Sequence, residues 1–419
     1  MTFVKRRSSA NRILRDFRRS LLSISYDALR DEKGKGMSNL RFLMTFAMIF
    51  CLYLSIPSLA RGFSSIPVTS IYSPLRLGSA DEELASGHVI RDNFVMAKPA
   101  TKPWRIAFLF PHMKDPYWIG CDYGVISEAR RLGIQVDIFP AEGYDDLIGQ
   151  LRMMDEAIAA KYDAIVISPI SMTANNPSIA KAHAVGIPVF ELANDSSSRD
   201  LTLKVTTSLK DMGLNAMKWV IKDAQMRGLK AINIVLLPGP ADAGWVKGEV
   251  AGTREAIGKS AIKVNILDIK YGDSDRIIQS RLAAELISRY GEKIDYILGC
   301  TGCAPAALLP INDAKMNGRI RIVAFDLTRE IARLVKDGEI SAAADTKGVS
   351  QARVVTDAAV NFLEGRTWHM PKVMLIKLGL IDQSHYSSYK LDTSIAPRGY
   401  EPELSYVPKG SHKSLDDQD

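Results

Sequence analysis

The stretch FPHMKDPYW, residues 110–118, follows the apolar run RIAFLF and crowds His112, Asp115, Tyr117 and Trp118 into one turn. Carboxylates accept hydrogen bonds from hydroxyls and amines. Aromatic faces set across a cleft sandwich a small solute or hold a cation. The same residue types recur after other apolar runs: Tyr144 in AEGY, Asp195 in ANDSS, Trp245 in PGPADAGW, Asp326 in FDLT and Asp345 in ADTK. Each Asp also reads as a helix N-cap or turn residue, and His112 as a loop-packing residue. The recurrence of Asp at equivalent places, with aromatics beside them, favours a ligand-binding site made of Asp115, Tyr117, Trp118, Tyr144, Asp195, Trp245, Asp326 and Asp345.

Reaction chemistry is poorly supported. The sequence has no G-x-S-x-G elbow, no phosphate-binding G-x-x-x-x-G-K-[ST], no H-E-x-x-H and no G-x-G-x-x-G. Its six histidines are scattered, with none at metal-ligand spacing. CTGC is a C-x-x-C pair, Cys300 and Cys303, but it lies late in the chain with no thioredoxin-like order around it. It reads as structural or incidental, a local disulfide being one form of that, rather than as a redox pair. A secreted enzyme using cleft carboxylates finds no paired acid and base at a recognisable spacing. The chain is read as a binding protein that needs no metal or cofactor.

Short apolar strands alternating with helices must position these residues. From Trp104, RIAFLF, IQVDIF, DAIVISP, IPVFELA and LTLKVTT read as strands with helices between them. The alternation restarts with KAINIVLLPGP, KVNILDIKYG, IDYILGC, IRIVAFD and ISAAADT. Ser274 reads as the N-cap of the helix SDRIIQSRLAAELISRYG. This pattern predicts an α/β protein with two doubly wound parallel-sheet lobes. In such sheets ligands bind beyond the carboxyl ends of the strands, where the candidate residues fall. The expected divisions are a leader over 61–103, an N-terminal lobe over 104–208 plus 349–371, and a C-terminal lobe over 209–348. Residues 372–396 return across the hinge, and 397–419 form a polar, frayed tail. The leader is expected to pack loosely or not at all.

Residues 1–60 carry 11 Lys and Arg against 4 Asp and Glu, out of 54 and 47 in the chain, so the remainder is formally neutral. That argues against nucleic acid as a partner. Arg41, the apolar stretch 42–56 and Ser58 and Ala60 follow the plan of a secretory signal starting at Met37 and cleaved after Ala60; the apolar run is short for a full span. Cys51 leaves with the signal, and the three remaining cysteines allow at most one internal bridge. A secretory signal places the mature chain outside the cytoplasm.

Two α/β halves with these late elements resemble the type I periplasmic binding proteins, in which two lobes share a three-stranded hinge around a ligand cleft. The segment VAFDLTREIARLVKDGEISAAADTKGVSQARVVTDAAVNFLEG is similar to the end of ribose-type members. There the Asp after the strand contacts ligand, and Asp326 matches it. Asp195 resembles the acidic residue lining the first lobe. PHxKDxYW, here Pro111, His112, Lys114, Asp115, Tyr117 and Trp118, resembles the TorT-like family of the trimethylamine N-oxide sensory system, over roughly residues 104–371. That resemblance implies a receptor located in the periplasm that closes on a small polar ligand and docks on the periplasmic domain of a membrane sensor histidine kinase. The ABC sugar importer, with a permease as partner, is the alternative. The family carries aromatics where this chain reads SLKDMG, residues 208–213, so Lys210 and Asp211 are expected to replace an aromatic wall.

Overall fold

The computed structural model describes residues 65–409, apart from 73, 77 and 368. The expected signal region with Cys51, and the end of the tail from 410, lie outside these residues. The leader differs from expectation. It forms β1 (Ser65–Ile71), α1 (Ala80–Ser86) and β2 (Val89–Val95). β1 pairs with β2 as a hairpin. Ile71, fully buried, belongs to the same apolar cluster as Leu109, Ile165 and Val373.

The first alternating half then runs β3 (Arg105–Phe110), α2 (Pro116–Leu132), β4 (Gln135–Pro140), α3 (Leu147–Ala159), β5 (Ala164–Ile167), α4 (Asn176–Ala184), β6 (Val189–Leu192) and β7 (Leu203–Thr206). β3, β5, β6 and β7 are buried along nearly their whole length, as a sheet covered on both faces requires. Local signals set the helix ends. Asp115 caps α2 with Pro116 in its first turn, and Gly133, at φ 73°, ends it in the left-handed region.

The second half runs α5 (Leu209–Met226), β8 (Ala231–Gly239), α6 (Gly244–Gly258), β9 (Lys263–Tyr271), α7 (Arg276–Tyr290), β10 (Tyr296–Gly299), α8 (Cys303–Ala306), α9 (Leu308–Asp313), β11 (Arg321–Ala324), α10 (Arg329–Asp337) and β12 (Ala342–Asp345). Then come α11 (Gly348–Leu363), β13 (Val373–Ile376), β14 (Gly379–Asp382) and β15 (Ser405–Tyr406). The N-cap of α7 is Asp275, whose carboxylate accepts from the N–H groups of Ile277 and Ile278, and not Ser274.

The strands form two sheets, ordered β15-β4-β3-β5-β6-β7-β13-β1-β2 and β14-β12-β11-β10-β8-β9. The chain passes between them after β7, after β12, after β13 and again after β14. Within 372–396, β13 belongs to the first sheet, parallel to β7, and only β14 joins the second, antiparallel to β12. Residues 397–409 of the tail are not frayed. β15 pairs with β4, and the Tyr400 hydroxyl bonds the buried Asp122 carboxylate.

Helices α5 and α6 pack on each other at unusually close range. A Cβ on Gly213 would lie 1.9 Å from the Glu249 carbonyl oxygen, so only glycine permits this approach. The backbone at Glu249 is thereby pinned against α5.

Candidate functional site

The carboxyl ends of the parallel strands of both sheets face one cleft, with about 530 Å³ of free space counting its open mouth. Asp115, Tyr117, Trp118 and Tyr144 line it from the first lobe, Trp245 and Asp326 from the second. The strand-exit rule thus brings six of the eight expected residues together.

Each is held by its local structure. Asp115 accepts from the Tyr117 N–H at 2.9 Å with one oxygen and from the Thr301 hydroxyl of the opposite lobe with the other. Burial raises its carboxyl from the ordinary value, and these two bonds oppose the rise. The rings of Tyr117 and Trp118 stand edge to face, 5.2 Å between centroids. Tyr144 meets Trp245 across the cleft at 5.8 Å, and its hydroxyl accepts from Asn194 Nδ2 at 3.1 Å. Asp326 accepts from the Thr346 N–H at 2.9 Å and the Thr346 hydroxyl at 2.6 Å. Burial, followed by the charge of Asp345, pushes the Asp326 carboxyl up to about 7.

Two expected residues are not in the cleft. Asp195 is buried beneath it, where it accepts from Lys204 Nζ at 2.7 Å and from the Ala80 N–H at 2.8 Å. Lys204, fully buried, needs that partner, and Glu191 sits 3.1 Å away on its other side. Asn194, one residue earlier, faces the cavity instead. Asp345 accepts from Ser394 Oγ at 2.7 Å and Tyr389 Oη at 2.6 Å, and fastens the segment after β14 to the end of β12. Burial of a carboxylate requires this kind of pairing, which spends the oxygens that a ligand would use.

His112 packs as expected. Its ring meets Tyr144 edge-on at 5.4 Å, Nδ1 accepts from the Lys114 N–H at 3.2 Å, and Nε2 lies 3.4 Å from the Ser274 hydroxyl. Burial lowers its pKa. The SLKDMG segment departs from expectation: Leu209 and Met212 face the cavity, while Lys210 turns away to pair with Glu255 at 2.6 Å. Cys300 and Cys303 are joined as a disulfide at the cavity edge, and Cys121 is a buried free thiol.

Contacts close the lobes on each other. Besides Asp115 with Thr301, the Tyr144 N–H donates to Asp273 at 3.1 Å and the Met172 N–H to the Asp242 carbonyl at 3.2 Å. A Cβ on Gly244 would come within 2.4 Å of the Asp195 carbonyl oxygen.

Sequence reasoning missed Glu249 and Gln351, both buried and both lining the cavity. They stand within α6 and α11 rather than in strand-exit loops. Their signal was a polar residue on the apolar face of a helix. Among the described residues no group of side chains is arranged to hold a metal ion, and no helix is long and apolar enough to cross a membrane.

A chain with this two-lobed fold matches a known family. Residues 106–367 match the model of the periplasmic binding protein domain. The chain belongs to the periplasmic binding protein family. Periplasmic protein TorT of Escherichia coli K12 is 29% identical over 310 residues, 73% of this chain and 86% of TorT. Among solved structures, an ABC transporter solute-binding protein from Bradyrhizobium sp. BTAi1 with bound bis-tris is 30% identical, with a TM-score of 0.67. The match covers 82% of this chain and 98% of that one. A TorS sensor domain–TorT complex without ligand gives 25% identity and a TM-score of 0.62 over 72% of this chain and 99% of that one. Periplasmic binding proteins of this kind bind solutes and are not enzymes.

Proposed function

We propose that this periplasmic binding protein is a sensory receptor. Its lobes close on a small polar solute of the size of trimethylamine N-oxide, and the closed form signals to the periplasmic domain of a membrane sensor histidine kinase. The observation that carries the reading is the cleft itself. It is lined by aromatics and carboxylates, and loops from both lobes are bridged across it through Asp115–Thr301 and Tyr144–Asp273. A solute touching both lobes adds its differential affinity to the closed state and shifts the population toward it. Ligand contacts are assigned to Asp115, Tyr117, Trp118, Tyr144, Trp245 and Asp326. The likeness to TorT, together with the solved complex of TorT with a TorS sensor domain, supports a kinase as the partner. The likeness to the Bradyrhizobium transporter protein favours a second reading, delivery of the solute to an ABC permease.

The test is size-exclusion chromatography of the purified mature protein with the sensor domain of a TorS-type kinase from the same genome, with and without a solute found by thermal-shift screening. A solute at 100 times its dissociation constant adds about 2.7 kcal/mol of stability. A complex whose amount changes with solute supports the receptor. No complex, together with solute-dependent stimulation of a reconstituted permease, overturns it in favour of import.

A further inference from the structure

Glu249 is fully buried, lines the cavity, and has no hydrogen-bond partner on either carboxylate oxygen. A buried carboxylate without a partner is costly and calls for a donor or a cation. The protein supplies no cation, since none of the side chains lining the cavity is a Lys, Arg or His, and the unpartnered Trp245 Nε1–H in the same lining makes no bond to it. The two neighbouring carboxylates are already engaged, Asp115 by Thr301 and Tyr117, and Asp326 by Thr346 and Leu327. Among the three carboxyl groups of the wall, Glu249 therefore carries the unspent acceptor capacity. Its backbone has no room to shift toward α5, since it already lies against Gly213.

Two further features describe what would answer it. Tyr117, Trp118, Tyr144, Trp245 and Phe325 present ring faces and edges to the same space, and aromatic faces attract alkylammonium groups. Gln351, also buried, donates Nε2 to the Thr346 carbonyl at 2.7 Å, which fixes its amide and leaves Oε1 unpartnered. That oxygen accepts from a neutral donor such as a hydroxyl.

We propose that the ligand is a small hydroxylated organic cation, a protonated or quaternary amine bearing a hydroxyl group, and that Glu249 selects it by charge. The inference rests on the receptor's cleft being a solute site, and it names the solute's class. Burial, and after it the charge of Asp326, raises the Glu249 carboxyl well above its ordinary range, so the empty cleft favours its protonated form and an arriving cation favours the carboxylate. A neutral sugar leaves that oxygen pair without a charge partner. An amine oxide has no N–H or O–H to donate, so it leaves the Gln351 Oε1 acceptor unpartnered.

The experiment is isothermal titration of the purified mature protein with choline, ethanolamine and triethanolamine. Each is set against neutral controls: 3,3-dimethyl-1-butanol (the uncharged isostere of choline), D-ribose and trimethylamine N-oxide. At least one amine is expected to bind ten-fold or more tighter than every neutral control. Glu249→Gln should erase that preference while leaving the melting temperature unchanged or raised. If no amine binds, or if a neutral control binds as tightly, the inference is overturned. D-ribose or trimethylamine N-oxide binding alone would leave the receptor reading standing, because the cleft would still be a solute site. If Glu249→Gln does not fold, the wild-type comparison of choline with its neutral isostere decides alone.

Discussion

One carboxylate, that of Asp115, ties the two lobes together: its first oxygen holds the opening turn of α2 through the Tyr117 N–H, and its second accepts the Thr301 hydroxyl from the opposite lobe. A hydrogen bond to a charged group is worth about 1.5–3 kcal/mol. Thr301→Val keeps the shape of the side chain and removes this bond, so the unliganded protein should shift toward the open form by roughly ten-fold or more. Small-angle scattering reads this as a larger radius of gyration. Unchanged scattering would mean that closure does not depend on the Asp115–Thr301 bond.

Asp195 does different work from the cleft carboxylates. It neutralises the buried Lys204 and caps the backbone at Ala80. Removing one partner of a buried ion pair costs about 3–5 kcal/mol. Asp195→Ala should lower stability by about that amount, with Glu191 offsetting part of the loss. The solute affinity of the protein that remains folded should be nearly unchanged. Chemical denaturation with a parallel titration separates the two effects, and a stable variant that no longer binds would return Asp195 to the ligand.

These two aspartates show what could be read from the sequence. The alternation of apolar strands with helices locates the strand exits, and a period-based reading places Asp115 and Asp326 there correctly. The same rule places Asp195 and Asp345 at exits too, but not the direction of their side chains. That direction is decided by Lys204 on β7 and by Ser394 and Tyr389 beyond β14, all distant in sequence or on another element. Glu249 was hidden for the opposite reason, since a Glu inside a helix usually faces water. Here the close packing of α5 on α6 buries it. The hairpin β1–β2 was missed because its alternation is weak, with β2 largely exposed.

The raised carboxyl of Asp326 makes stability depend on pH. Its ordinary value is 3.8, and in the folded protein it is about 7. Between these values the folded state keeps a proton that the unfolded chain has released, so stability falls as pH rises through this window. The slope is at most about 1.4 kcal/mol per pH unit. Below the window no penalty remains, and above it the loss is complete. Asp326→Asn should flatten this part of the profile. Asp122 and Asp357, also raised by burial, bend the curve in the same direction. The readout is therefore the difference between wild-type and variant denaturation from pH 4 to 8. Parallel curves would remove Asp326 as the source.

The β1–β2 hairpin gives the last prediction. β1 lies between β2 and β13, with Ile71 opposite Val373 and Val68 opposite Ile376. Ile71 is fully buried with Leu75, Val373 and Leu375 in the cluster beneath the first sheet. Truncating a buried Ile to Ala removes its transfer energy and leaves a cavity, together about 2–5 kcal/mol. Ile71→Ala should lower the stability of the whole protein by that amount in a single cooperative transition, because β1 is hydrogen-bonded to a strand that borders the hinge crossing. Urea denaturation followed by circular dichroism measures it. A change below about 0.5 kcal/mol, the usual effect of a surface substitution, would show that residues 65–95 form an appendage rather than part of the first lobe.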